Sequence, residues 1–439
     1  MTVVGPPIVI KFGGSSIDDP SRVIGRVAEL RARRTAVILV VSARGGVTDR
    51  LRAILRRPTD RRGHRTALRA IARRHVGISN LGTLHLRRLA RLVTSLEEIG
   101  IAEETLSDRI LSHGERLAAV WLTDRLCAAG IRATAVEADH LGLVTDNGYG
   151  RATILLERSR ASVARGLSSI LRRGGVPVVT GYFGRSLEGR VATLGRGGSD
   201  YSATAIAALV GARRVELVKR EVSVLTADPR LVPSARPIPR LSYEEAEELA
   251  QFGAKVLHPL TVEPARIAHL EIVVRSLEDP RIATTIGPPR GADGMRAMTL
   301  LSPLGLVRIR VPGGRQRPGI VAEATERLNE RAINIVTLFT SSSCLSLVLE
   351  RGRARKAREA LAPLFRAGPA TLEGPIPVAL VTAIGDGVLD DLGRVPASIL
   401  SRGEGLSATP RSLSFAVPVA HGVAAVRALH RALVETTGR

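Results

Sequence analysis

Aromatic side chains are scarce: one Trp, four Tyr and six Phe in 439 residues, so Val, Ile, Leu and Ala must fill whatever core the chain builds. Cysteine is scarcer still. Cys127 and Cys344 are far apart and form neither a disulfide framework nor a metal-binding or redox spacing. No apolar run approaches the ~20 residues that cross a bilayer, and Ile8-Val9-Ile10 follows Pro6-Pro7 with no basic leader before it. A protein of the reducing cytoplasm, without a membrane partner, is expected. Lysine is nearly absent. Lys11, Lys219, Lys255 and Lys356 are the only four among 64 basic residues. A chain that uses arginine almost everywhere and keeps a lysine needs a compact ammonium there rather than a planar fork. The net charge of +23 raises the question of nucleic acid. The arginines are scattered over helical stretches such as Arg31 to Arg34, with few aromatics between them for base stacking, so no nucleic-acid partner is expected.

The apolar residues that are present fall into short runs. Ile8-Val9-Ile10 leads into Gly13-Gly14-Ser15-Ser16, and Ala36 to Ser42 leads into Gly45-Gly46. Val176 to Val179 empties into Thr180-Gly181 in the same way. Runs this continuous belong to strands buried on both faces, as in a parallel sheet. Strands alternating with helices, with glycine loops after the strands, predict an α/β/α sandwich that binds ligands at the strand C-termini. Residues 50 to 128 read as helix-rich. After a Pro/Gly linker at Gly287 to Gly291 the pattern shortens to two weakly repeated units of about 70 residues. The first has a strand at 305–311, a helix through Arg331, strands after Ala332 and at 345–349, and a helix at 354–361. The second has a strand at 378–383, a helix near 392–401, a strand at 412–417 and a final helix from Val423.

Two motifs carry chemistry. In Lys11-Phe12-Gly13-Gly14-Ser15-Ser16 the glycines let backbone N–H groups approach phosphate oxygens, and the lysine is a point charge for a transferred group. Alone, this stretch is equally an ordinary strand–turn–helix. Leu194-Gly195-Arg196-Gly197-Gly198-Ser199-Asp200, opening an Ala-rich helix, is more specific. An arginine there can grip a carboxylate through two parallel bonds, and Asp200 can position an amine.

With these motifs in view, the chain resembles the aspartate kinases over essentially its whole length. The matching stretches are KFGGSS (11–16), VVSARGGVTDRL (40–51), SHGERLAA (112–119), TLGRGGSDYSA (193–203), TADPRLVPSARPI (226–238) and LSYEEAEELAQFGAKVLHP (241–259). The resemblance implies an amino-acid kinase domain over 5–285 with a mainly parallel sheet and a linker over 286–300. Two ACT-like α+β modules (βαββαβ) would follow, over 301–370 and 371–439. It implies ATP as co-substrate, Mg2+ with it, and transfer to the side-chain carboxylate of L-aspartate. Lys11 would stabilise the γ-phosphoryl group, with Gly13, Gly14 and Ser15 around the phosphates and Asp200 organising the centre. Thr48, Glu115 and Arg196 would hold the amino acid; without a ligand role, Glu115 is simply a helix charge. Lys219, Arg220, Leu225, Arg230 and Lys255 would line the nucleotide. PGIVAEATERLNERAINI (318–335) matches the effector signature, which implies Pro318, Gly319, Ile320, Asn334 and Ile335 as contacts for an end-product amino acid, lysine or threonine. The paired modules imply a homodimer or larger. No dedicated carboxylate cage for a metal is visible.

One segment departs from the family. Where members carry a stretch like W-T-D-V-D-G-V-Y, this chain reads Val218-Lys219-Arg220-Glu221-Val222-Ser223-Val224-Leu225. The Thr-Asp pair is Lys219-Arg220, and the tyrosine that packs on adenine is Leu225. Three readings stand open: tolerated drift, a changed donor or acceptor in a paralogue, and a non-catalytic amino-acid-binding subunit. Two milder changes are Ser15 for threonine, and Arg275-Ser276 for the usual Asn-Thr.

Overall fold

The structure is a computed structural model that describes residues 5–219, 223–253, 257–279, 281–289, 296–311, 319–365 and 370–436. It divides into two compact units. The first comprises Met1–Val224, Pro237–Ala246 and Val256–Pro289; the second comprises Leu225–Arg236, Glu247–Lys255 and Arg290–Arg439.

In chain order the elements begin β1 (Ile8–Phe12), α1 (Pro20–Ala32), β2 (Val37–Val41), α2 (Val47–Arg56), α3 (Arg61–Arg74), α4 (Asn80–Ile99) and α5 (Glu104–Ala128). There follow β3 (Ala133–Val136), α6 (Ala138–Leu141), β4 (Val144–Thr145), α7 (Leu156–Arg172), β5 (Val176–Thr180), β6 (Phe183–Ser186), β7 (Val191–Thr193) and α8 (Gly198–Leu209). Then come β8 (Arg214–Lys219), β9 (Arg240–Ser242), α9 (Tyr243–Gln251), α10 (Pro259–Ile267), β10 (Glu271–Ser276) and β11 (Ala283–Gly287). The chain continues with β12 (Ala297–Arg310), α11 (Ile320–Asn329), β13 (Ile335–Ser341), β14 (Cys344–Glu350), α12 (Arg351–Leu361) and β15 (Thr371–Ile384). It closes with α13 (Ala397–Leu400), β16 (Gly405–Thr409), β17 (Ser412–Pro418) and α14 (Gly422–His430).

The first unit is built on a sheet of order β3-β5-β2-β1-β8-β10-β11-β9, parallel except where β10 meets β11. Every residue of β1 and β2 is buried, so both faces of the central sheet are covered. On one face Ile8, Ile10 and Phe12 pack with Val23 and Val27 of α1 and with Leu122 and Leu126 of α5. The other face meets α8, whose residues are all buried except Ala208. Its alanines let that helix lie close to the strands. The chain runs outward from β1 in both directions, to β2 on one side and β8 on the other. The switch point of the sheet, where a crevice opens beyond the strand C-termini, therefore lies at Lys11 and Lys219.

The second unit is one antiparallel sheet of order β13-β14-β12-β15-β17-β16. The two expected modules are its halves: β12, α11, β13, β14 and α12, then β15, α13, β16, β17 and α14. Each half has its own core, around Ile309, Leu328 and Leu347 in the first and around Val381, Phe415 and Leu429 in the second. The halves join through β12 and β15, which pair over most of their length.

The expected boundaries differ at four places, two of them being Ile286 and Gly287, expected as linker, which close β11, and Glu247–Lys255, expected in the kinase domain, which groups with the second unit. Residues 297–300, expected as linker, begin β12, because Met298 is buried in the second module's core. Leu225–Arg236, expected inside the kinase domain, groups with the second unit. Ala227 and Val232 are buried in the core that holds Val426 and Leu429, and Thr226 Oγ1 lies 2.9 Å from His430 Nε2. An apolar residue declares that it will be buried, not which core will take it.

Candidate active site

The site begins where β1 ends. Side chains alternate along a strand, so Lys11 points to the face covered by α8, opposite Ile10 and Phe12. Its Nζ lies 2.7 Å from Asp200 Oδ1. Lys219, the last residue of β8, places its own Nζ 3.0 Å from Asp200 Oδ2. Asp200 stands in the first turn of α8, where the helix dipole favours a negative charge. Burial alone would raise its pKa, but the two ammoniums outweigh burial and hold the carboxyl well below the usual carboxylate range.

The glycines bring the loops together. A Cβ on Gly14 would sit 2.3 Å from the carbonyl oxygen of Ala43, so the turn after β1 and the turn after β2 are in backbone contact. Gly197, with φ 74°, caps α8 in the left-handed region, and a Cβ there would meet His258 Cβ at 2.5 Å. No other residue type satisfies both demands.

Glu115 lies on α5 beside the same turns. Its Oε1 accepts a 2.9 Å hydrogen bond from Ala43 N. Burial pushes its carboxyl up to about 8, and the Ala43 hydrogen bond with the Lys11 and Arg52 charges offsets this only in part. Thr48 is half-buried in the first turn of α2, just after the left-handed Gly46. Arg196 is exposed between Gly195 and Gly197, near enough to His258 to help burial lower that imidazole's pKa.

The structure thus brings Lys11, Gly13, Gly14, Asp200 and Lys219 to the switch point, with Glu115 in electrostatic reach of Lys11. Ser15 is exposed in the turn after β1. Leu225 and Arg230 belong to the second unit; Leu225 is half-buried, and Arg230 is exposed and bonded to Asp228 at 2.6 and 3.0 Å. Arg220, Lys255 and Pro318 lie outside the described residues. Of the effector contacts, Gly319 caps α11 at φ 85° and Ile320 is buried. Asn334 is exposed and Ile335 half-buried where the chain enters β13.

Two supporting residues escaped the sequence reading. Asp108 is buried on α5, two turns before Glu115 on the same helix face. It accepts from Thr193 N at 2.7 Å, Thr193 Oγ1 at 2.6 Å and Gly150 N at 2.9 Å, and so anchors the strand that leads into the Gly195–Gly198 loop. That seven-residue spacing was its only signal. Tyr182 follows β5 with φ 75°, a left-handed conformation that costs a residue with a side chain ~1–3 kcal/mol. Its N–H donates to Ser202 Oγ at 3.0 Å. Burial raises the phenol's pKa, with Glu115 adding to the rise, while Thr193 and Arg52 act to lower it. Nothing in the local sequence marks such a backbone.

A separate group, Glu137, Asp139 and His140, comes within ligating distance of a shared ion among the described residues. Arg116 already bonds both carboxylates, reaching Asp139 at 2.6 Å, and stacks over Phe183 at 4.7 Å. The two carboxylates are tied up in an ion network around Arg116, and His140 is exposed.

Residues 6–276 match the model of the amino acid kinase family. The lysine-sensitive aspartokinase 3 of Escherichia coli K12 is 31% identical over 78% of this chain and 78% of its own length. The chain belongs to the aspartokinase family. An aspartokinase of Thermus thermophilus is 29% identical over 97% of this chain and 98% of its own. Among solved structures, aspartokinase III of E. coli in complex with aspartate and ADP matches with a TM-score of 0.80 and 25% identity, covering 97% of this chain and 99% of that one. The same enzyme with lysine and aspartate matches at 0.76 with 26% identity, covering 98% and 99%. In this aspartokinase-family chain, Lys219, in the segment that departs in sequence, shares Asp200 with Lys11.

Proposed function

We propose that this chain transfers the γ-phosphoryl group of ATP to the side-chain carboxylate of L-aspartate, giving 4-phospho-L-aspartate and ADP. The observation that carries this reading is the lysine–aspartate–lysine cluster at the sheet's switch point, beside a buried glutamate and an exposed arginine loop.

The nucleophile is a carboxylate, so no proton has to be abstracted and no covalent enzyme intermediate is needed. Catalysis is then alignment of two anions with cations between them. Lys11 meets the γ-phosphoryl oxygens, and Gly13, Gly14 and Ser15 turn the backbone toward the phosphates. Arg196, exposed on its glycine loop, takes the α-carboxylate of aspartate as a bidentate pair. Glu115 serves the α-ammonium, with Thr48 beside it. Arrival of that ammonium lowers the Glu115 pKa from its raised value, so substrate binding expels a proton to solvent.

Magnesium is expected with the nucleotide. The donor set of the transfer centre does not form a cage for it: both oxygens of Asp200 face ammoniums. Its ligands would be phosphate oxygens, and no step above depends on it. An amino-acid effector, lysine or threonine, would bind the second unit at Gly319, Ile320, Asn334 and Ile335. An effector there acts through different affinities for two conformations, in a homodimer or larger assembly. Among the described residues no helix is long and apolar enough to cross a membrane, in keeping with work in the cytoplasm.

The test is ADP release with Mg-ATP and L-aspartate, the acyl phosphate being trapped as hydroxamate. Aspartate-dependent hydroxamate is the expected result. A folded protein that makes none with aspartate overturns the assignment and points to another acceptor or to a regulatory subunit.

A further inference from the structure

We propose that Lys219 is a second catalytic cation, gripping the transferred phosphoryl group together with Lys11. This rests on the kinase reading above and sharpens the role of the segment that departs from the family.

Geometry comes first. β1 and β8 are neighbours in parallel register, with Lys11 opposite Leu217, so Lys219 stands two residues further along the adjoining strand. Both lysines nevertheless converge on one carboxylate, each on its own oxygen, at 2.7 and 3.0 Å. Asp200 acts as a spacer that holds the two ammoniums on its two oxygens.

Charge gives the second argument. Lys11 and Asp200 are only 8% and 6% exposed. In so desolvated a place an ammonium attracts a phosphoryl oxygen more strongly than it would in water. The Lys219 side chain is 27% exposed, so of the three it is the most open to solvent.

Residue choice agrees. The chain has four lysines among 64 basic residues, and two of the four meet on the same aspartate. A phosphoryl group in flight carries its charge on three equatorial oxygens, and two compact ammoniums pre-set at fixed spacing stabilise it without reorganising. The bond from the γ-phosphorus to the bridging oxygen of ADP breaks as the bond to the aspartate carboxylate oxygen forms. Charge moves from one oxygen to the other past both lysines, and neither lysine gives up its proton.

Two measurements on the full chain test this. In Lys219→Met, kcat with Mg-ATP and aspartate should fall about 100-fold, the scale seen when one preorganised donor is removed, while KM for aspartate stays within about threefold. Lys219→Arg should recover part of the loss, since charge returns without the compact geometry. A folded Lys219→Met that keeps kcat within about threefold overturns the proposal.

The second measurement needs neither a variant nor an acceptor. Lysine acetylation of the unmodified protein, read by mass spectrometry with and without a non-hydrolysable ATP analogue, should show Lys219 protected together with Lys11. Lys356, exposed on α12, should react unchanged. Protection of Lys11 with undiminished labelling of Lys219 overturns the second-cation role even if the protein proves to be an active kinase. Joint protection with no aspartate hydroxamate leaves the two-lysine clamp standing and removes aspartate as acceptor. No protection of either lysine overturns both readings.

Discussion

Asp200 and Glu115 are both carboxylates buried in the first unit, and both interact with Lys11, yet they are held in opposite charge states. Asp200 has an ammonium on each oxygen and stays ionised far below the usual carboxylate range. Glu115 has one backbone N–H and two more distant charges, and burial carries its pKa up to about 8. The same desolvation acts on both. What differs is the number of cations in contact, and that number separates the phosphate side of the site, permanently charged, from the amino-acid side, which waits for the substrate's own cation.

The contrast breaks most sharply at its charged end. Asp200→Asn leaves two ammoniums facing each other without their spacer. Removing one partner of a buried pair costs about 3–5 kcal/mol, so a loss of about that size in denaturant unfolding is expected, together with loss of measurable turnover. Lys11→Ala should lower kcat about 1,000-fold, with aspartate binding by calorimetry close to normal. Activity surviving in Lys11→Ala would remove that lysine from the transfer step.

The amino-acid end is tested through pH. The folded pKa of Glu115 is raised above its unfolded value, so its contribution to stability is full below about 4.5 and is lost as pH rises through about 8. Asp200 behaves oppositely: its pKa is depressed, so its contribution is present at neutral pH and is lost only in acid. Glu115→Gln should therefore gain thermal stability relative to the parent as pH rises from 5 to 9, while KM for aspartate increases about 30-fold through loss of a charge-assisted bond. An equal pH dependence of stability in parent and variant would mean that Glu115 is not held neutral. In the parent, aspartate binding near pH 7 should release a proton, visible as a dependence of the calorimetric heat on buffer ionisation enthalpy.

The smallest effect is expected at the support between the two halves. Asp108→Asn weakens the bonds to Thr193 and Gly150 that steady the glycine loop of Arg196. A rise of about tenfold in KM for aspartate, with kcat changed less, is the predicted signature. A change confined to kcat would place Asp108 with the phosphate side instead.

Much of this was legible in the sequence. The continuous apolar runs of β1, β2 and β5 announced strands covered on both faces, and the glycines after them marked where the site would lie. The two short α+β units were visible as a repeat, though not their union into a single sheet through β12 and β15. Gly14 was read as room for phosphate, and its tightest constraint proved to be the Ala43 carbonyl of a neighbouring turn. Lys219 and Asp200 lie nineteen positions apart on different elements. Only the order of the strands makes them neighbours.

The sequence by itself determined the class of fold, the elements and the residue types of the transfer centre, because burial, helix starts and glycine turns are written locally in hydrophobicity and backbone freedom. The tertiary structure alone decided which charges meet, which carboxylate is neutral, and which core takes Leu225–Arg236. Those outcomes depend on distance and desolvation between residues remote in the chain. A local pattern can say that a side chain will be buried, but not beside what.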